Sequence, residues 1–411
     1  MVGHAGELRV HPEGIPGHSA NDHRAGLANY GNVCYLGDLP HSFAGLKEGV
    51  NRLFTKARFL PAPYNEFAAY QYPSETQPDE ETYFRRLHFG CFQVVMANTP
   101  FANCDPWSHG YSADLLAAYR YYSWLHKELA PYLYSYCWIM HENAAQSVLR
   151  NPTTTNSCKL GEEIFVQYVT TAGTRSMTIP LPAGPEWINY WDEAQTFTGT
   201  AANFPAPLGK EPVFIRNGAI IPMDVERAYT GHGTAESKGS LTVLVYPKDS
   251  TSFKYRDDSL NQWIAITSKL TGTALTLTMG PRAVAKPVLY RIGRWPSAPS
   301  SVTITANTVM INGTAGNTSQ AGSEQEVNRK TANAWYYDAV AKRLIVKAFL
   351  NNSTVIKSSL IHPRTRDGHE NVQNALYTVY GRRIGNRTKL ARGVYLLGTR
   401  NASVNKIVCS Y

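Results

Sequence analysis

Three things are scarce in this 411-residue chain. Charged residues make up 17% of it, no apolar run reaches membrane-spanning length, and the six cysteines, at 34, 91, 104, 137, 158 and 409, form no C-x-x-C pair. The first scarcity, joined to 11% aromatics with 25 Tyr and 8 Trp, fits a β-rich protein that handles sugars, although much of the aromatic content is core. The second argues against a membrane span, and the third against a zinc site. Cys34, Cys91 and Cys137 fall on strand or helix patterns and read as small buried hydrophobes. Cys104 and Cys158 lie in loop-like context and are the pair to test for a disulfide. No secretory leader is visible at the N-terminus.

The net charge of +9 raises nucleic acid as a partner, so its location decides. Residues 349–411 hold ten Lys and Arg against two Asp and Glu, which leaves the rest of the chain close to neutral. No groove-reading or RNA-binding motif accompanies the basic tail, and nucleic acid is set aside.

At 43% hydrophobic content the chain exceeds one ordinary domain, and two to four units are expected. Residues 1–35, rich in Gly, His and Asn, read as an irregular or truncated start. Residues 36–155 read as strand and helix units that end in two helices, the second opening at Pro131, a favourable first helical position. From about 156 the period changes to strands, as in Glu163–Val169 and Ser176–Leu181, with Gly and Pro turns between them. A β-sandwich is expected over 156–230, a Gly/Ser/Thr-rich linker near 230–240, and a second sandwich over 240–348. Asp257 and Asp258 invite a metal, but two adjacent Asp between strands read better as a polar turn. Asn-x-Ser/Thr triplets at Asn312, Asn317, Asn351, Asn352, Asn386 and Asn401 permit glycosylation and no more.

One acidic residue stands out. Val33–Gly37 is a short apolar strand that ends in Asp38, and Phe43, Leu46, Val50, Leu53 and Phe54 then recur at helical spacing. In a (β/α)8 barrel the catalytic groups sit where strands end, because those loops converge on one mouth. Asp38 is thus a candidate catalytic residue. Spacing alone favours the plainer reading, in which it caps a helix that begins near Pro40.

From Leu36 to Pro222 the chain resembles glycoside hydrolase family 31, the family of α-glucosidases and α-xylosidases. Tyr35-Leu36-Gly37-Asp38 is similar to its W-x-G-D, and Arg85-Arg86-Leu87-His88-Phe89-Gly90-Cys91-Phe92 to its R-W-x-Q-x-G-A-F. Asp105-Pro106-Trp107 follows in the place of E-P-W. Tyr119–His126 with Leu129–Tyr134 resembles R-Y-x-x-L-R…L-x-P-Y-L-Y, and Leu181–Gly184 with Trp187 resembles L-P-x-G-x-W. Pro212–Pro222 matches P-V-F-V-R-x-G-A-I-I-P almost letter for letter. Six such runs occur in the family's order.

The resemblance implies the C-terminal portion of a (β/α)8 TIM barrel followed by two β-sandwiches, an α/β part and then an all-β part. It implies a retaining α-glycosidase, an α-glucosidase by the family's habit, acting on an oligosaccharide or other α-glycoside without a cofactor, and secreted or otherwise outside the cytoplasm. Asp38 falls on the general acid/base. A retaining mechanism also needs a second carboxyl group about 5–5.5 Å away as nucleophile. Its W-x-D-M-N-E-like context has no counterpart between Met1 and Leu36, so the chain is expected to begin inside the barrel.

Substrate contacts implied by position are Glu66 and Tyr70, which take the place of a D-I-G-G-F loop without its glycines, and Arg24, with Arg9 as its alternative. Arg85 and His88 are further candidates. Equally open for them are an ion pair inside the barrel wall and a hydrogen-bonded core histidine. The other reading of the whole is a non-catalytic remnant or a carbohydrate-binding β-sandwich protein. Residues 349–411, with Val379–Ile384, Leu390–Leu397 and Lys406–Val408, resemble a small C-terminal sorting module of secreted bacterial enzymes, an extra hairpin docked on the sandwich being the alternative.

Overall fold

The structure is a computed structural model that describes residues 39–56, 78–99, 106–108, 110–143, 147–150, 154, 156–257, 262–281, 286–313 and 316–350, with short strands at 7–8, 18–19, 34–35, 63–64 and 68–69 and four more between 375 and 409. Contacts divide the chain into two compact units, 1–356 and 357–411.

The first unit opens with strand and helix in alternation. Cys34–Tyr35 pairs in parallel with Pro63–Tyr64 across helix α1 (Phe43–Asn51), and Ala68–Ala69 pairs in parallel with Asn98–Thr99 across α2 (Glu80–Cys91). Parallel neighbours need a crossover between them, and a helix supplies it in both cases. The helix ends follow from sequence. Ser42 caps α1 by accepting a hydrogen bond from the Gly45 N–H at 3.2 Å, and Asp79 caps α2 through the Thr82 N–H at 2.9 Å. Glu80 and Glu81 add negative charge to the positive end of α2. Helix α1 therefore starts three residues later than Pro40. Its cap is Ser42, so the capping alternative for Asp38 falls away.

Two longer helices follow, α3 (Ala113–Glu128) and α4 (Ala130–Glu142), the second with Pro131 in its first turn. They lie on a six-stranded sheet whose order is Thr196–Phe197, Trp187–Asn189, Val213–Arg216, Ile164–Gln167, Ser157–Leu160 and Leu149–Arg150. The helix-facing side contributes Cys158, Leu160, Ile164, Val166, Ile188, Val213 and Ile215 to a core shared with α2, α3 and α4. The other side contributes Phe165, Trp187 and Phe214 to a separate core under the hairpin Ser176–Pro180/Thr200–Pro205. This is the alternation that a sheet covered on both faces requires. Cys158, read from sequence as a loop residue, is a fully buried free thiol on the strand Ser157–Leu160, with its sulfur 3.3 Å from the Tyr168 hydroxyl. Residue 104 lies outside the described residues.

A second pair of sheets completes the unit. One is six-stranded, in the order Ile220–Met223, Leu241–Val245, Val288–Ile292, Arg343–Ala348, Ala334–Asp338 and Ser319–Gln320. The other is five-stranded, in the order Ser250–Asp257, Gln262–Thr271, Ala274–Met279, Thr308–Ile311 and Val302–Thr305. Their facing sides bury Val243, Tyr290, Val346, Ile266, Leu277 and Val309 against each other, and the short helix α5 (Glu324–Arg329) covers the outer side through Val327.

The chain changes from the first sheet pair to the second at residues 217–219, where Gly218 takes φ +94°. The stretch 230–240, read as a linker, is packed. Thr230 donates to Glu128, the His232 Nε2 lies 2.8 Å from the Tyr190 hydroxyl, and Asn328 donates to Ser237 at 3.1 Å. Two of the Asn-x-Ser/Thr triplets serve the backbone: Asn312 Nδ2 donates to the Thr273 carbonyl and Asn317 Nδ2 to the Ile304 carbonyl. The other four lie outside the described residues.

The second unit, taken by itself, is a four-stranded antiparallel sheet ordered Arg383–Ile384, Ala375–Thr378, Gly393–Gly398 and Val404–Cys409.

Candidate functional site

Asp38, Glu66, Tyr70, Arg24 and Arg9 lie outside the described residues, as does Asp105. What the structure does describe is the ground next to Asp38. Leu39 is buried, and the Pro40 carbonyl accepts from the buried Arg86 guanidinium at 2.9 Å and from the Ser42 N–H at 2.9 Å. A Cβ on Gly45 would sit 1.9 Å from that same carbonyl oxygen, and one on Gly49 would meet the Leu39 side chain at 2.5 Å. Glycine at both positions lets α1 close onto residues 39 and 40, while α2 grips them from the other side through Arg86. The elbow directly after Asp38 is thereby fixed between two helices. His41 stays neutral there, its pKa pushed down to about 4 by burial and by the nearby Arg86 charge.

Arg85 and His88 sit on the same helix with different surroundings. The Arg85 side chain is buried and makes an ion pair with Glu211 at 3.3 Å. It also donates to the carbonyls of Thr174 at 2.7 Å, Ala206 at 2.8 Å and Pro207 at 3.2 Å. Sequence allowed an ion pair inside the barrel wall; the ion pair it makes instead reaches a loop of the first sheet pair. Glu211 also accepts from the Tyr122 hydroxyl of α3 and from the Gly209 N–H at 3.3 Å. Burial raises the Glu211 pKa, and the Tyr122 and Arg85 contacts oppose that rise. His88 is buried among the rings of Phe92, Tyr122 and Tyr168. Desolvation first, and the Arg85 charge second, hold it neutral.

A second buried carboxylate does for α4 what Glu211 does for α2 and α3. Glu163 accepts from the hydroxyls of Tyr132 at 2.8 Å and Tyr136 at 2.6 Å, and pairs with Arg216 at 3.3 Å. Tyr132 and Tyr136 come one helical turn apart on α4, so both hydroxyls reach one oxygen. Gly161, at φ +64°, makes room for them, because a Cβ there would lie 2.3 Å from the Tyr132 hydroxyl. Arg85 and the Leu129–Tyr134 run are visible as motifs in the sequence, whereas the roles of Glu163 and Glu211 are not. The available signal was the density of tyrosines, whose hydroxyls need partners when buried.

No group of His, Cys, Asp or Glu among the described residues could hold a metal ion. No helix among them is long and apolar enough to cross a membrane.

Residues 138–221 match the family described as "Glycosyl hydrolase family 31 C-terminal domain". Over 345 residues the chain is 25% identical to an isomaltosyltransferase from Sporosarcina globispora, which covers 78% of this chain and 30% of that protein. It is 24% identical over 204 residues to Alpha-glucosidase 2 of Bacillus thermoamyloliquefaciens, covering 44% of this chain and 26% of that protein. Among solved structures it is similar to a cycloalternan-forming enzyme from Listeria monocytogenes in complex with a pentasaccharide substrate, with TM-score 0.66 and 19% identity, covering 78% of this chain and 31% of that one. A Flavobacterium johnsoniae family 31 dextranase complexed with glucose gives TM-score 0.60 and 19% identity, with coverage of 77% and 42%. The chain spans under a third of the length of the curated relatives it matches. Residues 138–221 thus carry the similarity to the family 31 C-terminal domain, and the β-rich fold around them is one the chain shares with these solved structures.

Proposed function

We propose that this chain is part of a retaining α-glycosidase, an α-glucosidase in its specificity, acting outside the cytoplasm on an oligosaccharide or another α-glycoside. The parallel strand pairs with α1 and α2 between them are taken as the C-terminal portion of a (β/α)8 barrel, and Asp38 as the group at its mouth. Asp38 donates a proton to the departing oxygen and then takes one from water, the two halves of a double displacement. The nucleophilic carboxylate belongs to polypeptide outside this sequence. Glu66, Tyr70 and Arg24 contact the sugar, and Arg86 acts as a positioning residue that holds the Pro40 carbonyl two residues after Asp38. The observation that carries the reading is the family 31 match over residues 138–221, which adjoins these strand and helix units.

The relatives favour a second outcome of the same chemistry. An isomaltosyltransferase covers more of this chain than does the α-glucosidase. If a sugar hydroxyl replaces water as the acceptor, Asp38 activates that hydroxyl instead and the product is a longer saccharide.

The test is to express the chain together with polypeptide that completes the barrel, beside its Asp38→Asn variant, and to follow both 4-nitrophenyl α-glucoside and isomaltotriose. General acid–base help is worth roughly 10²–10⁴-fold. The loss in Asp38→Asn is expected to be larger on isomaltotriose, whose leaving alcohol needs the proton, than on the activated phenolate. Products longer than isomaltotriose identify transfer. The isolated chain is expected to hydrolyse neither substrate, and equal turnover by wild type and Asp38→Asn overturns the assignment.

A further inference from the structure

The second sheet pair holds a cleft of about 610 Å³ between the 270–273 turn, the 293–300 loop and Asn312, within the roughly 300–1,000 Å³ that small-molecule sites occupy. We propose that this cleft binds a neutral oligosaccharide. The inference does not rest on Asp38 or on any reaction.

Its lining argues for the ligand's chemistry. Hydroxyls come from Thr273, Ser297 and Ser300, and exposed apolar surface comes from Pro296 and Ala298. Arg294 is the charged side chain on the wall, and its guanidinium is already 3.6 Å from Glu186. A phosphate or carboxylate ligand would find no cluster of cations there. A sugar ring offers what the wall can use, with C–H groups for Pro296 and Ala298 and hydroxyls that both donate and accept.

Its construction argues that the cleft is a built feature. Arg294 and Asn312 both take φ +55°, a conformation that Asn tolerates and that Arg seldom adopts outside sites where the surroundings impose it. Asn312 ties the walls together, accepting from the Ser300 N–H at 2.8 Å and donating to the Thr273 carbonyl at 3.0 Å. The cleft is therefore held open before any ligand arrives, which lowers the ordering cost of binding.

Calorimetric titration of the full chain with maltotriose and isomaltotriose tests this. Saturable binding to at least one is expected, weakened tenfold or more by Ala298→Trp, which fills the mouth from an exposed position, and by Thr273→Trp from the opposite wall. Thermal unfolding of each variant checks that the fold is intact. No saturable binding to the parent chain, or parental affinity in both tryptophan variants, overturns the proposal. Failure here leaves Asp38-dependent turnover untouched, and absence of that turnover leaves this binding untouched.

Discussion

The helical layer and the first sheet are joined differently from the two sheets of the second pair. At the first junction α2, α3 and α4 meet irregular loops, and buried carboxylates are shared by tyrosines and arginines, with Glu211 serving Arg85 and Tyr122 and Glu163 serving Tyr132, Tyr136 and Arg216. At the second, ladders face each other and the seam is apolar, with Leu277, Ile266 and Tyr290 all below 1% exposed. The reason lies in the backbone. Sheets satisfy their own N–H and C=O groups, whereas the loop residues Thr174, Ala206 and Pro207 present carbonyls with no ladder to join, and Arg85 answers all three. Charge is buried where irregular backbone must be buried with it.

The strongest test of that contrast is Arg85→Met. It leaves Glu211 without its cation and three carbonyls without a donor, and breaking a buried pair costs about 3–5 kcal/mol. Urea unfolding should show a loss of that order, and a loss below about 1 kcal/mol would remove the distinction between the junctions. At the apolar seam Leu277→Ala is expected to cost about 2–5 kcal/mol by leaving a cavity. That cost should stay the same from pH 5 to pH 8, since nothing in the seam near it titrates in that range.

A subtler difference is in pH response. Burial lifts the Glu128 carboxyl from 4.5 to about 7, against the opposing pull of the Thr230 hydroxyl and Lys127. Between those values the folded chain binds more protons than the unfolded one. The stabilisation is complete below the lower value and is lost as pH rises through about 7. Glu128→Gln keeps an acceptor for Thr230 and removes the titration. Its melting temperature relative to wild type should therefore rise as pH goes from 4.5 to 8, and parallel melting curves across that range would show that Glu128 is not the group responsible.

Much of the β architecture is legible in the sequence because its strands carry their own period. Ala274–Met279 alternates between buried and half-exposed positions as a strand with one apolar face must; Asp257, read as part of a turn, is the buried last residue of its strand and pairs with Gln262, while Asp258 lies outside the described residues. Helix α2 is legible in neither way. Thr82 to Cys91 are all buried, including Arg85, Arg86 and His88, so no polar face marks the helix and its charges carry no sign of their partners. The carbonyls and the carboxylate that Arg85 meets outside its own helix come from 89 to 126 residues downstream, and the Pro40 carbonyl that Arg86 meets lies 46 residues upstream, so only the folded chain brings them together. Cys158 misleads in the opposite sense. Its neighbours Ser157 and Lys159 suggest a loop, and the burial that makes the segment a strand is supplied by sheet neighbours and by α4. The resemblance placed Pro212–Pro222 as one motif, although the chain splits it between two sheets.

That split works as a ruler. Val213–Arg216 belongs to one sheet and Ile220–Met223 to the next, and the join between them is a turn at Gly218 whose Cβ position is closed off at 3.0 Å by Thr251. So short a join, with a bend fixed by one glycine, has almost no travel. Anything seated on the second sheet pair is consequently held at a set distance and bearing from the helical layer.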